Sequence, residues 1–217
     1  MYKMKVLTMV SILSFAHSSP TSKLCSHQFR EDQESSGWSE FLSSGLFLPA
    51  PGGSTSHHMK RLRHSLAELA AILAYHKEEY VQDMMGESFT QIDRELGDLQ
   101  YPALAPDTHK DSFLAAYSLF QRLALSIEVV TTDLRHHQHS VHKMWRLSSH
   151  TVASILRSIY TELVMKRVEI PEPLTRNVLP DTMRCLPFSA YRDTRDFLVL
   201  RHTLQAAEIY SKLLEKK

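Results

Sequence analysis

Arg135-His136-His137-Gln138-His139-Ser140 is the whole polar break between two long helical patterns. Before it, Phe113, Tyr117, Phe120, Ala124, Ile127, Val130 and Leu134 recur at threes and fours. After it, Met144, Leu147, Val152, Ile155, Ile159 and Leu163 line one further face. That spacing is one side of an α-helix, so the two patterns predict helices over about 109–135 and 141–168. A link of about six residues reaches only ~20 Å fully extended, half the ~40 Å length of such helices. It cannot carry the chain back along a helix. The two helices must be antiparallel neighbours.

Moving outward, Leu62, Leu66, Leu69, Leu73, His76 and Tyr80 form an equivalent stripe, and Ala67, Ala70, Ala71 and Ala74 favour helix. Gly86 is a suitable stop, which predicts a helix over about 55–85. A last helix over about 190–215 carries Phe197, Leu200, Leu204, Ala207 and Leu214, with cations at its end. Pro171 and Pro173 close the preceding helix, because proline cannot extend it. No segment alternates as a strand does, so the fold class is all-α. The outer links, Glu87 to Asp107 and Glu169 to Ser189, each hold about 21 residues and reach ~70 Å. Long, short, long is the connection pattern of a four-helix bundle wired up-up-down-down with two crossover loops. The other reading is an up-down bundle with two decorated loops.

The chain has 217 residues, 43% of them apolar, and a net charge of +1. This fits one domain with a sizeable core. Near-balanced charge gives no general attraction to nucleic acid or an anionic membrane. Six glycines argue against the phosphate loops of nucleotide enzymes. Lys3 and Lys5 precede the apolar run Val6 to Ala16, and Ser14-Phe15-Ala16 has a small-x-small ending. Residues 1–16 therefore read as a secretory signal peptide, too short to span a bilayer. Charges interrupt the later apolar runs, so the mature protein is expected to be soluble and extracellular. Residues 17–53 form an irregular tail punctuated by Ser43-Ser44-Gly45 and Pro49-Ala50-Pro51-Gly52-Gly53. In an oxidising compartment Cys25 and Cys185 can pair with each other; a bridge to another chain or two free thiols are the alternatives.

His136, His137, His139 and His142 are the obvious metal candidates, yet no Cys or HExxH pattern accompanies them. They read better as a solvated, pH-sensitive turn, and no metal or cofactor is expected. His76 lies within an apolar stripe and reads as a hydrogen-bonded core residue. No GxSxG elbow, Walker loop or GxGxxG occurs, so no enzymatic activity is expected. A secreted helical domain without a catalytic constellation works by presenting surfaces to another protein.

Glu79-Tyr80-Val81-Gln82, followed by Gly86 and Phe89, resembles the corresponding segment of cardiotrophins. Asp196-Phe197-Leu198-Val199-Leu200-Arg201 is similar to the last helix of cardiotrophin-like and ciliary-neurotrophic cytokines. Ile170-Pro171-Glu172-Pro173 resembles their exit from the third helix. The chain thus resembles the long-chain helical cytokines of the interleukin-6 superfamily. The resemblance implies a protein that brings cell-surface receptors of the glycoprotein 130 class together and triggers intracellular kinases. It implies three receptor faces. One draws on Gln205, Glu208 and Lys212 of the last helix. A second, for glycoprotein 130, draws on Arg61 or His64 of the first helix and on Trp145 or Arg146 of the third. Trp145 has a second reading as a core residue beside Met144. The third face, around Phe188 and Tyr191, lacks the lysine of the Phe-x-x-Lys pattern found in members that recruit the leukaemia-inhibitory-factor receptor. Tyr191-Arg192 through Val199-Leu200 and His202 also resembles the interleukin-12 alpha subunit, and the third helix that of interleukin-27. That likeness implies an obligate heterodimer with a soluble receptor-like partner.

Overall fold

A computed structural model describes residues 55–97, 99–104, 113–136, 142–184, 186 and 189–215. Among them every regular element is helical. Four long helices are α1 (Thr55–Met85), α3 (Phe113–His136), α4 (Lys143–Met165) and α6 (Ser189–Glu215). Between them lie α2 (Phe89–Leu96), the single turn α5 (Asp181–Arg184), and 3-10 turns at Pro102–Leu104 and Arg176–Val178. The expected signal peptide 1–16, the tail 17–53, Cys25, Cys185 and Phe188 fall outside the described residues.

Helix α1 keeps its expected bounds, and Leu62, Leu66, Leu69, Leu73 and Tyr80 of its stripe are buried. Gly86 ends it at φ +74, where its N–H donates to Gln82 O at 2.9 Å. Helix α4 stops three residues before the expected 168. Arg167 adopts φ +53 there, with Val168 N–H donating to Leu163 O and Arg167 N–H to Val164 O. These are the two bonds of a Schellman closure. The long link after α1 contains α2, which the sequence reading left as connection. Ser88 caps it by accepting from Gln91 N–H at 3.2 Å, and Phe89, Ile92 and Leu96 are its buried face.

Helix α1 packs mainly on α4 and α6, and α3 packs on the same two. The direction of each pair follows from side-chain contacts. Ser65 meets Ser154 at 3.0 Å while the Tyr80 and Trp145 rings meet at 5.5 Å, so α1 and α4 run antiparallel. Tyr117 faces Tyr160 while Lys166, just past the end of α4, lies over the Phe113 ring, which sets α3 antiparallel to α4. Phe120 faces Tyr210 and Asp133 pairs with Arg195, which sets α3 antiparallel to α6. Phe113–Arg135 proves long and apolar enough to cross a membrane, contrary to the expectation that charges break every such run. Most of it is buried inside the protein, and packing on both α4 and α6 accounts for its apolarity.

Every residue from Thr194 to Leu204 is buried, so this middle stretch of α6 is sheathed on all sides. The connection after α1 supplies part of that cover. Phe89 stacks on Phe197 with ring centroids 5.0 Å apart, and Arg201 donates to Asp93 Oδ1 at 3.0 Å, to Gly97 O at 3.1 Å and to Leu99 O. Tyr101 N–H donates to His202 Nε2 at 3.2 Å. The connection after α4 is fastened to α3 in the same manner. Leu174 N–H donates to Gln121 Oε1 at 2.8 Å, and Arg176 pairs with Glu128 at 3.0 Å. Buried polar groups must find partners, and here the partners are the backbones of the long connections.

Candidate functional site

Arg61, His64 and Arg146 are exposed, on α1 and α4 respectively. Arg61 and His64 lie within about a turn of Ser65, which contacts Ser154. Arg146 adjoins Trp145, which contacts Tyr80. Ser65 and Tyr80 are 15 residues apart on α1, roughly 22 Å of axis at 1.5 Å per residue. The structure therefore places the expected second face at two ends of the α1–α4 pair rather than at one spot. Gln205, Glu208 and Lys212 are all exposed and share one side of α6 at spacings of three and four. They follow the sheathed stretch of the helix and stand on its more open part. Tyr191 is half-buried near the start of α6.

Trp145 corrects the expectation that it contacts a receptor. Its exposure is 0%, and Tyr80 meets its ring edge-on. An indole this large gains most by leaving water, and α4 directs it inward beside buried Met144. Its alternative reading as a core residue is the correct one.

The open end of the α1–α4 pair is polar and aromatic. His142 caps α4, its Nδ1 accepting from Met144 N–H at 3.1 Å. Its ring lies 5.6 Å from His76 and 5.5 Å from Tyr80. Between the two imidazoles sits Glu79, whose Oε2 is 3.5 Å from His76 Nδ1 and 3.9 Å from His142 Nε2. Burial lowers the pKa of His142, with the Glu79 charge opposing the shift. His76 differs from the expected core residue. It is half-buried and its Nδ1 has no hydrogen-bond partner among the described residues.

The second polar centre is built around the buried Arg195. Arg195 donates through Nε to Asp196 Oδ1 at 2.7 Å, through Nη1 to Asp133, and to Met183 O at 3.3 Å. Burial would lower the Arg195 pKa, but Asp196 and Asp133 hold it raised. Burial pushes the Asp196 carboxyl above the usual range despite the guanidinium beside it. This group joins α3, α5 and α6, and only Asp133, 13% exposed, reaches the surface, so it serves the fold.

No family model matches the chain, and no curated protein or solved structure matches it either. The polar groups themselves must then guide the reading. Sequence inspection singled out His136, His137 and His139, of which the last two lie outside the described residues. It missed the association of His76 and Glu79 with His142, because 63 residues separate Glu79 from His142 and only the antiparallel pairing joins them. The i, i+3 spacing of His76 and Glu79 was the one available signal.

His202 makes a prediction about pH. Burial, aided by the Arg201 charge, lowers its pKa to about 4 from 6.5. The unfolded chain takes up this proton first, so His202 costs stability as pH falls from about 6.5 towards 4, by about 3 kcal/mol at most. His202→Gln keeps an acceptor for Tyr101 N–H and removes the titration. Urea midpoints of the wild type and variant across that window should converge at low pH if the variant starts lower. Parallel curves rule out the assignment.

Proposed function

We propose that this chain is a secreted helical cytokine, wired as an up-up-down-down four-helix bundle, that brings together receptors of the glycoprotein 130 class. One observation carries the reading. Helices α1 and α3 pack on the same two partners, and the contacts run antiparallel along α1–α4, α3–α4 and α3–α6. Two helices antiparallel to a common neighbour share one direction, and the fastened long connections then act as the crossovers such wiring needs. Sequence resemblance supplies the receptor class, and the apolar run ending at Ala16 supplies the route out of the cell.

Arg61, His64 and Arg146 form the proposed glycoprotein 130 face. Their separation suits an ordinary interface, since about 800 Å² per partner corresponds to a patch ~30 Å across. Gln205, Glu208 and Lys212 form a second receptor face, and Phe188 with Tyr191 a third. Binding of the purified secreted chain to the soluble glycoprotein 130 ectodomain on a biosensor tests the reading. Saturable capture is expected, and Arg146→Glu weakens it at least ~10-fold, as for a charged hot-spot residue. Trp145→Phe, a core change, leaves the affinity within about twofold. No capture by the wild-type chain refutes the proposal. N-terminal sequencing of the secreted product tests the leader, with Ala16 expected as the last residue removed.

A further inference from the structure

We infer that His76, Glu79 and His142 bind one zinc-class divalent cation across the α1–α4 junction. Their donor atoms all lie within 4.8 Å of one another. Ligands of tetrahedral zinc at 2.0–2.2 Å stand about 3.4 Å apart, so His76 Nδ1 and Glu79 Oε2, at 3.5 Å, already meet that spacing. Glu79 Oε2 and His142 Nε2, at 3.9 Å, close by about 0.5 Å, and the two imidazole donors, within 4.8 Å, by at most about 1.4 Å. Glu79 makes its share of that movement cheaply, because its side chain is 64% exposed, against 14% for His76 and 22% for His142; the imidazoles approach each other by turning about their side-chain bonds. The imidazoles are the more buried part of the site. His76 is packed edge-on between Tyr75 and His142, and His142 is also held against Tyr80.

Two further observations point to a cation. His76 Nδ1 is buried with no hydrogen-bond partner among the described residues, and a metal gives it one. Asp83 adds a second negative charge to the field at His142. The donor chemistry selects the ion. Two imidazoles and one carboxylate suit zinc and its neighbours in the transition series, whereas magnesium and calcium prefer oxygen donors. Three protein ligands leave the fourth position to water on the exposed Glu79 side. Binding has one local cost. His142 Nδ1 accepts from Met144 N–H, so its proton sits on Nε2; coordination through Nε2 moves the proton to Nδ1 and gives up the cap.

That cost also provides a clean variant. Asparagine is among the best helix N-caps, so His142→Asn keeps the cap and removes the ligand. The full chain, purified without a polyhistidine tag, is titrated with zinc against a chromophoric chelator and with cobalt in the visible range. One equivalent is expected to bind, with the intense absorption of tetrahedral cobalt and a zinc-dependent rise in Tm. Glu79→Gln and His142→Asn should each weaken zinc at least ~10-fold and abolish the Tm rise, with unchanged far-ultraviolet circular dichroism. Three outcomes overturn the site: no binding by the wild type, undiminished binding by both variants, or loss of binding only when His136, His137 and His139 become glutamine. None of these bears on receptor capture, so the site stands or falls independently of the cytokine reading.

Discussion

Trp145→Ala should destabilise the protein by about 3–5 kcal/mol, the range for emptying a large aromatic site in a core. The indole is wholly buried and abuts Tyr80 edge-on, where aromatic pairing adds to burial. Its position matters as much as its size. Trp145 lies in the first turn of α4, close to the His142 cap and packed against Tyr80 near the end of α1. Collapse into the space left behind would drag the cap and the His76–Glu79 turn with it. Urea unfolding followed by circular dichroism measures the effect. A loss under 1 kcal/mol would show that Trp145 is not a keystone of the α1–α4 contact. Trp145→Phe retains an aromatic partner for Tyr80 and should lose markedly less.

Arg195→Met should cost a similar amount, about 3–5 kcal/mol, for a different reason. Methionine matches much of the arginine stem, so little volume is lost. What is lost is the cation between two carboxylates, one of them fully internal. Asp196 is 2% exposed, and without Arg195 its charge has no compensation. Acid relieves the damage. Protonating Asp196 removes the uncompensated charge, and without Arg195 that proton binds at higher pH, so the stability deficit of the variant should shrink as pH falls towards about 6, where the wild-type carboxyl takes up its proton as well. Adding Asp196→Asn to Arg195→Met should recover part of the loss at neutral pH. A deficit that is unchanged across that range would mean that packing of the arginine stem, not charge, is the dominant contribution.

The apolar stripes made the four long helices legible, and their periodicity fixed α1 to the residue and α6 to within one. Signals that depend on chain reversal were harder to read. Helix α4 ends at Met165 because Arg167 takes a left-handed conformation, a position where glycine is usual and arginine gives no warning. Helix α2 was legible in principle, since Ser88 and Gln91 have capping-box spacing and Phe89, Ile92 and Leu96 have helical spacing. It was obscured by its short length and by its place inside a link already assigned to connection. The burial of Arg195, Asp196, Arg201 and His202 could not be foreseen. A charged run inside a helix looks solvated until the segments that cover it are in place. Trp145 shows the same limit, because periodicity places a residue on a helix but does not tell which of two neighbouring faces an adjoining helix will cover.

The sheath around Thr194 to Leu204 of α6 also imposes an order of assembly. Arg201 is about 100 residues beyond the Asp93, Gly97 and Leu99 groups that it fastens, and α6 is synthesised after the helices it packs against. Contacts this distant in sequence form late and close slowly. Until α6 leaves the ribosome, the apolar sides of α1 and α3 that it will cover stand open, together with the connection after α1 that has nothing yet to grip. A nascent chain shortened before residue 195 is therefore a natural client for chaperones, and the finished C-terminal helix acts as the latch that ends that dependence.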